Sequence, residues 1–139
     1  MRVGGHARCS ALTLLGTSGR CACERTSWPR RDACDTILQP DVLVARRADF
    51  SHRDLPVAPL LAVEVLSPST RRFDLHPKRA RYEAAGCANF WVVDPDAPSI
   101  LAWELQDGVY VKVGRASGTE LFTTDVPFPV EFRPADLIA

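Results

Sequence analysis

The stretch that decides the fold is LLAVEVLSPST, residues 60–70. Residues 60–66 are apolar at every position except Glu64, which predicts a central β-strand covered on both faces. Pro68 then ends the strand, because proline cannot continue a hydrogen-bonded ladder. A carboxylate inside such a strand is costly to bury unless a cation or a hydrogen-bond partner compensates it. Glu64 is therefore the first candidate functional residue.

The residues on either side of this stretch predict a mixed α/β domain. A helix is expected from Asp74 to residue 85, because helix-forming residues follow Asp74 and Gly86 suits the C-terminal cap. Asp107-Gly108 is a strong hairpin signal. Residues 37–45 are expected to form a turn that enters a strand, and further strands are expected in residues 60–66, 89–94, 99–105 and 109–113. Residues 46–59 are expected to form a loop, and a proline-containing tail is expected to cover the sheet edge. One helix is too little to cover both faces of such a sheet, so we expect the domain to be incomplete.

Length and charge set limits on the class of protein. The chain has 139 residues, enough for one compact domain, and 24% charged residues in a 46% hydrophobic chain argue against disorder. The net charge is zero, but residues 1–34 carry six Arg against two acids, and the rest carries eleven Lys and Arg against fifteen acids. A neutral total therefore does not exclude nucleic-acid binding. No apolar run is long enough to cross a membrane, and residues 11–16 are too short for a signal-peptide core.

The cysteines are concentrated at the N-terminus. Four of the five lie in the first 34 residues: Cys9, Cys21, Cys23 and Cys34. This clustering leaves open a metal knuckle or a small secreted disulfide protein. However, one residue separates Cys21 from Cys23, whereas zinc sites use two to four, and an odd total does not close a disulfide framework. We favour reduced thiols in a cytoplasmic protein.

Three residues form a candidate catalytic group: Asp41, Glu64 and Lys78. Two carboxylates on neighbouring strands repel each other unless a divalent ion lies between them, and hard oxygen ligands suit Mg²⁺ or Mn²⁺. A lysine nearby would stabilise developing phosphoryl charge or orient water. Taken singly, each residue has a structural alternative: Asp41 as a turn residue, Glu64 as an edge-strand partner of an arginine, and Lys78 as a solvated helix residue.

The wider pattern resembles the Uma-type restriction endonuclease family of the PD-(D/E)xK nuclease superfamily. The resemblance is dense over residues 39–105, about half of the chain. It rests on Pro40-Asp41-Val42, the run from Glu64 to Thr70, the helix residues Asp74, Lys78 and Tyr82, then Gly86, the run from Phe90 to Pro95, and the hairpin residues Asp107-Gly108-Val109-Tyr110. The part of this pattern that is specific to the family is the run beginning at Glu64 together with the later helix and strand residues.

The resemblance implies a restriction-endonuclease-like mixed sheet with a flanking helix and a Mg²⁺-dependent or Mn²⁺-dependent endonuclease acting on DNA. It makes Asp41, Glu64 and the Val65 carbonyl metal ligands. In the superfamily a lysine stands two residues after the acidic residue, where this chain has Leu66, so the resemblance points to Lys78 on the next helix. Supporting roles fall to Ser67, to Asp74 as a helix cap, and to Tyr82, packed in the core with its hydroxyl near the site.

Basic residues surround the predicted helix and suggest a nucleic-acid contact. They are Arg71, Arg72, Arg79 and Arg81. One interpretation is contact with the phosphate backbone beside the metal. The other, equally weighted, is a solvated helix face on which Arg79 and Glu83 form an ion pair four residues apart.

Residues 1–35 lack the family pattern of a helix, a glutamate-bearing strand region and a second helix. They show no strand or helix periodicity either. We expect residues 1–35 to be an atypical leader, disordered or mistranslated, and residues 36–139 to be the nuclease-like core. If covering helices are missing, exposed apolar surface would favour a homodimer. The alternative function is a catalytically inactive, truncated remnant that at most binds nucleic acid or a protein partner.

Overall fold

The computed structural model describes residues 38–50, 52, 55, 57–68 and 75–138, together with the backbone of residues 12–16. This described part of the chain contains eight strands, one α-helix and two short 3₁₀-helices. In chain order these are β1 (Leu12–Gly16), β2 (Val42–Arg46), a 3₁₀-helix (Arg47–Asp49), β3 (Leu61–Val65), α1 (Leu75–Ala84), β4 (Asn89–Asp94), β5 (Ser99–Gln106), β6 (Val109–Ser117), β7 (Phe122–Thr124), β8 (Val130–Phe132) and a 3₁₀-helix (Pro134–Ile138). None of the helices in the described part is long and apolar enough to span a membrane.

Six strands form one mixed sheet in the order β1-β2-β3-β4-β5-β6. Only β3 and β4 are parallel to each other, and α1 is the crossover that joins them. A parallel pair requires such a crossover, whereas antiparallel pairs such as β5 and β6 can be joined by a short turn. This connection places the start of α1 just beyond the C-terminal end of β3. The mixed α/β architecture predicted from the sequence is confirmed.

The two faces of the sheet carry separate apolar clusters. The helix-side face, defined by Ala62, Phe90 and Trp103, packs against α1. The hairpin-side face, defined by Val63 and Trp91, packs against the aromatic residues of the β7-β8 hairpin and its connection. Neighbouring residues of one strand point to opposite faces, which explains how β3 contributes to both clusters.

Phe90 is the centre of the helix-side cluster. Its side chain is fully buried, and its ring lies 5.0 Å from that of Tyr82, 5.8 Å from that of Trp103 and 6.0 Å from that of Tyr110. Because these rings come from α1, β5 and β6, the cluster fixes the helix against three consecutive strands of the sheet. Aromatic pairs of this kind contribute about 0.5–1.5 kcal/mol beyond the area that they bury.

Most of the predicted elements agree with the structure to within a few residues. The helix, predicted from Asp74 to residue 85, is Leu75–Ala84, and Gly86 follows it with a positive φ of 78°. The hairpin signal is also confirmed, since Asp107 and Gly108 both have positive φ between β5 and β6. The second hairpin strand is longer than predicted and ends at Ser117.

Two predictions about the periphery differ from the structure. Residues 1–35 were expected to hold no strand, yet β1 lies within them and pairs antiparallel with β2. Without β1, the outer N–H and C=O groups of β2 would lie unpaired at an open sheet edge. Pairing of these backbone groups does not depend on the periodicity of the side chains in β1. The tail was expected to cover the sheet edge, but its phenylalanines pack on the hairpin-side face instead.

The buried Cys87 thiol gives folding a pH dependence that can be measured. Burial raises the pKa of Cys87 to about 11. The folded protein therefore retains a proton that the unfolded chain releases near the ordinary thiol pKa. Stability should be complete below pH 9 and decline as pH rises towards 11, by about 2–3 kcal/mol in total for this group.

Urea unfolding at pH 8 and pH 10 tests this prediction. The wild type should lose stability between the two values, and Cys87→Ala, which lacks the titrating group, should lose less. An identical pH dependence in the two proteins would contradict the assignment to Cys87.

Candidate active site

Glu64 is a buried carboxylate in the middle of the sheet. It lies near the C-terminal end of β3, is 5% exposed and points to the helix-side face, since its register partner on β4 is Val92 of the helix-side cluster. Lys78 Nζ donates to Glu64 Oε2 over 2.9 Å, and Tyr82 Oη donates to Glu64 Oε1 over 2.8 Å. Both oxygens of the buried carboxylate therefore have partners from one helix.

Tyr82 is a fixed hydrogen-bond donor to Glu64. The side chain is fully buried and its ring stacks on Phe90. Burial, followed by the nearby Glu64 carboxylate, raises the pKa of Tyr82 well above its ordinary value. The hydroxyl therefore stays protonated across the physiological range and can only donate to the carboxylate. Its ring packing restricts Glu64 to one orientation.

Lys78 supplies the positive charge beside Glu64. It stands four residues before Tyr82, so the two side chains extend from the same face of α1. The Lys78 side chain is 35% exposed while that of Glu64 is 6% exposed. The ammonium group thus neutralises the buried carboxylate and still reaches solvent at the surface of the site. Asp74, the expected cap one turn earlier, lies outside the described residues.

Asp41 lies beside Glu64, directly before the neighbouring strand β2. Val42 and Val63 are the last pair at this end of the antiparallel β2–β3 register, so Asp41 and Glu64 are the residues next to that pair. Asp41 Oδ2 also accepts a hydrogen bond from the Val65 main-chain N–H over 2.7 Å. This bond anchors the Asp41 carboxylate at the end of β3, beside Glu64.

The Val65 carbonyl is oriented towards Asp41 by the strand geometry. Leu66 N–H donates to the Val93 carbonyl, so the main chain of Leu66 faces β4. Successive residues of a strand direct their backbone groups to alternate sides, and Val65 therefore faces the opposite neighbour, β2. The N–H of Val65 meets Asp41 on that side, and its carbonyl opens in the same direction.

An open cavity of about 190 Å³ brings most of the predicted site residues together. Its lining consists of Asp41, Glu64, Val65, Leu66, Ser67, Leu75 and Lys78. Leu66 and Leu75 were not predicted to line the site. The spacing in the sequence could have identified Leu75, because it precedes Lys78 by three residues and therefore lies on the same helix face.

The donor set of this cavity fits a divalent cation with few protein ligands. Among the described residues no group of three or more His, Cys, Asp or Glu could hold a metal. Mg²⁺ does not require one, because it is commonly held by one or two carboxylates together with water and substrate phosphates. Each carboxylate oxygen can accept two hydrogen bonds or ligand contacts. Asp41 and Glu64 can therefore accept a cation besides their recorded partners, with the Val65 carbonyl as a third oxygen.

The structure describes two of the four predicted nucleic-acid-binding arginines, since Arg71 and Arg72 lie outside the described residues. The Arg79 guanidinium carbon lies 5.5 Å from the ring centroid of Trp103 on the helix-side face. Arg81 is exposed near the end of α1. The alternative ion pair of Arg79 with Glu83 is not recorded among the described residues, and Glu83 Oε2 accepts the Tyr110 main-chain N–H over 2.6 Å.

Comparison with known proteins places this geometry in a family. A crystal structure of "a putative nuclease belonging to DUF820" from Anabaena variabilis is similar to the chain, with a TM-score of 0.58 and 16% sequence identity. The alignment covers 93% of this chain and 69% of that one, and at this identity it supports the fold alone. No match was found among curated proteins.

The sequence model of the Uma2 family, described as "Putative restriction endonuclease", matches residues 19–137. This match includes residues 19–35, which the sequence reasoning had left outside the family resemblance. Because the match spans well over half of the 139 residues, the chain belongs to the Uma2 family.

Proposed function

We propose that this protein is a metal-dependent endonuclease that hydrolyses DNA phosphodiester bonds with Mg²⁺ or Mn²⁺. The observation that carries the proposal is Glu64, a carboxylate that is 5% exposed at the edge of an open cavity. Burial of a charged group costs several kcal/mol and can be replaced by apolar packing, so stability alone gives no reason to keep it. A role in holding a cation gives such a reason.

In this proposal Asp41 and Glu64 hold the cation, with the Val65 carbonyl as a further ligand. When bound, the cation would supply Lewis-acid polarisation of the phosphodiester and activation of the attacking water. The Val65 N–H keeps Asp41 in place, and Tyr82 keeps Glu64 in place. Fixed ligands of this kind need no reorganisation during the reaction.

Lys78 would act on the phosphodiester directly. Its ammonium group lies 2.9 Å from Glu64 and is partly exposed to the cavity. An ammonium group at this position can donate to a phosphoryl oxygen as negative charge develops on it. Lys78 would thereby take the part that the superfamily assigns to a lysine two residues after the acidic residue, at the position of Leu66 in this chain. Cytoplasmic location and a homodimer stay predictions from the sequence.

Cleavage of supercoiled plasmid by the purified protein tests the proposed function. With Mg²⁺ or Mn²⁺ the wild type should convert plasmid to open-circular and linear forms. Asp41→Asn, Glu64→Gln and Lys78→Ala should each lower the rate by roughly 10²-fold or more, the scale seen when one charge-stabilising group is removed. The controls are Asp125→Asn and Glu131→Gln, exposed carboxylates on the hairpin-side of the protein, which should retain the wild-type rate.

Cleavage that persists in Glu64→Gln would contradict the assignment of the site and indicate a contaminating nuclease. No cleavage by folded wild-type protein would favour the inactive remnant.

The ion pair of Lys78 and Glu64 predicts that Lys78→Met lowers the free energy of unfolding and that adding Glu64→Gln partly restores it. Lys78→Met leaves the buried Glu64 carboxylate without its cation. Breaking a fully buried pair costs 3–5 kcal/mol, and since Lys78 is about one-third exposed we expect a loss of about 1–3 kcal/mol. Adding Glu64→Gln removes the charge and should restore part of this loss.

Urea unfolding in the presence of a chelator measures both variants. A double variant no more stable than Lys78→Met alone would show that the pair does not govern the burial of Glu64.

A further inference from the structure

The strand register places two basic residues of β6 on the same face of the sheet as Glu64. Glu64 pairs with Val92, Val92 with Leu101, and Leu101 with Arg115, which forms one row across four strands. The neighbouring row consists of Ala62, Phe90, Trp103 and Lys112. Directly paired residues point to the same face of a sheet. Both rows therefore end on β6 with an exposed cation on the helix-side face.

A register irregularity brings these two cations together. Lys112 and Arg115 are three residues apart, so in a regular strand their side chains would point to opposite faces. The pairing shifts between Ala102 and Trp103, where Ala102 opposes Gly114 and Trp103 opposes Lys112. Val113 is the extra residue of this bulge. Bulges redirect side chains in this way and are frequent beside active sites.

Arg79 joins the two β6 residues from the helix. Its guanidinium lies over Trp103, the register partner of Lys112. A guanidinium that stacks through its face keeps the N–H groups at its edge available for a phosphate. The ring also limits the conformations that Arg79 adopts, so less entropy is lost when it binds a ligand. We use the name basic row for these three cations together: Arg79 of α1, and Lys112 and Arg115 of β6.

The basic row has no recorded ion pair within the described residues, where the one recorded salt bridge is Lys78–Glu64. Three acids in the same part of the chain accept backbone N–H groups: Glu83 from Tyr110, Asp94 from Asp96 and Ala97, and Glu120 from Ser117.

We propose that the basic row binds the phosphate backbone of the DNA duplex on one side of the cleaved bond. This inference rests on the proposed nuclease function and deepens it. Three strand spacings of about 4.8 Å separate Glu64 from Arg115, about 14 Å in all. At 3.4 Å per base pair this distance corresponds to about four base pairs, less than half a turn of the duplex. Phosphates on one side of the DNA can therefore reach the cavity and β6 together.

The surface between the cavity and the basic row is suited to contact with the DNA phosphate backbone without recognition of bases. Leu101, between Val92 and Arg115 in the same row as Glu64, is partly exposed on the helix-side face. Val92 is buried, so Leu101 is the apolar side chain that this row leaves accessible between Glu64 and Arg115. Contacts of this type position the duplex and carry no sequence information. The basic row would fix where the DNA lies and leave sequence selection to other parts of the protein.

Fluorescence anisotropy with a labelled 30-base-pair duplex tests the proposal. The titrations use the full chain carrying Glu64→Gln, in a chelator, so that no cleavage occurs. Arg79→Gln, Lys112→Gln and Arg115→Gln are each added to this background. Each should weaken binding to unrelated sequences alike and reduce the slope of log affinity against log salt by about 0.9. Arg133→Gln, an exposed arginine that follows β8 on the hairpin-side, is the matched control and should leave affinity and slope unchanged.

The outcomes separate this inference from the proposed hydrolysis. Salt-dependent binding that the basic-row variants weaken, together with a folded wild type that does not cleave plasmid with Mg²⁺ or Mn²⁺, would retain the DNA-binding surface and overturn the nuclease. Cleavage by the wild type, with affinity and salt slope unaffected by the three variants, would retain the nuclease and overturn the basic row. A folded protein that binds no duplex overturns the basic row as well. Equal losses in the Arg133→Gln control would show that only overall charge matters and would also overturn it.

Discussion

The burial of Glu64 is the constraint on which the rest of the site depends. A buried carboxylate in an apolar strand requires a cation or hydrogen-bond donors. One helix supplies both, because Lys78 and Tyr82 are four residues apart and meet the two oxygens of Glu64. The crossover from β3 to β4 determines where this helix begins, and the aromatic packing around Phe90 holds it in place. The fold therefore positions the Glu64 carboxylate, its neutralising charge and its orienting donor together.

The same connection explains why the site opens at the end of β3. β3 ends at Val65, Leu75 begins α1, and Asp41 directly precedes the adjacent antiparallel strand β2. The cavity lies where these three ends meet. Family membership and the shared fold are compatible with many activities, so the function rests on this local geometry. The geometry supplies two carboxylates, a main-chain carbonyl and an ammonium group within one cavity.

The sequence was sufficient to predict the central strands, the helix and five of the residues that line the cavity. An apolar strand with one carboxylate, a helix with Lys78 and Tyr82 four residues apart, and an Asp-Gly turn are all local signals. What escaped prediction depends on pairing between distant residues. Strand β1 is specified by the open edge of β2, and the placement of Lys112 with Arg115 requires the bulge between β5 and β6. Simple alternation along β6 would have assigned these two cations to opposite faces.

The central claim is that the buried Glu64 carboxylate serves to hold a divalent cation. Calorimetric titration of the folded protein with Mn²⁺, without DNA, tests it most directly. We expect one saturable Mn²⁺ site in the wild type that is lost or strongly weakened in Glu64→Gln and retained in Glu131→Gln. Equal Mn²⁺ affinity in the wild type and Glu64→Gln, or no binding by folded wild-type protein, would contradict it.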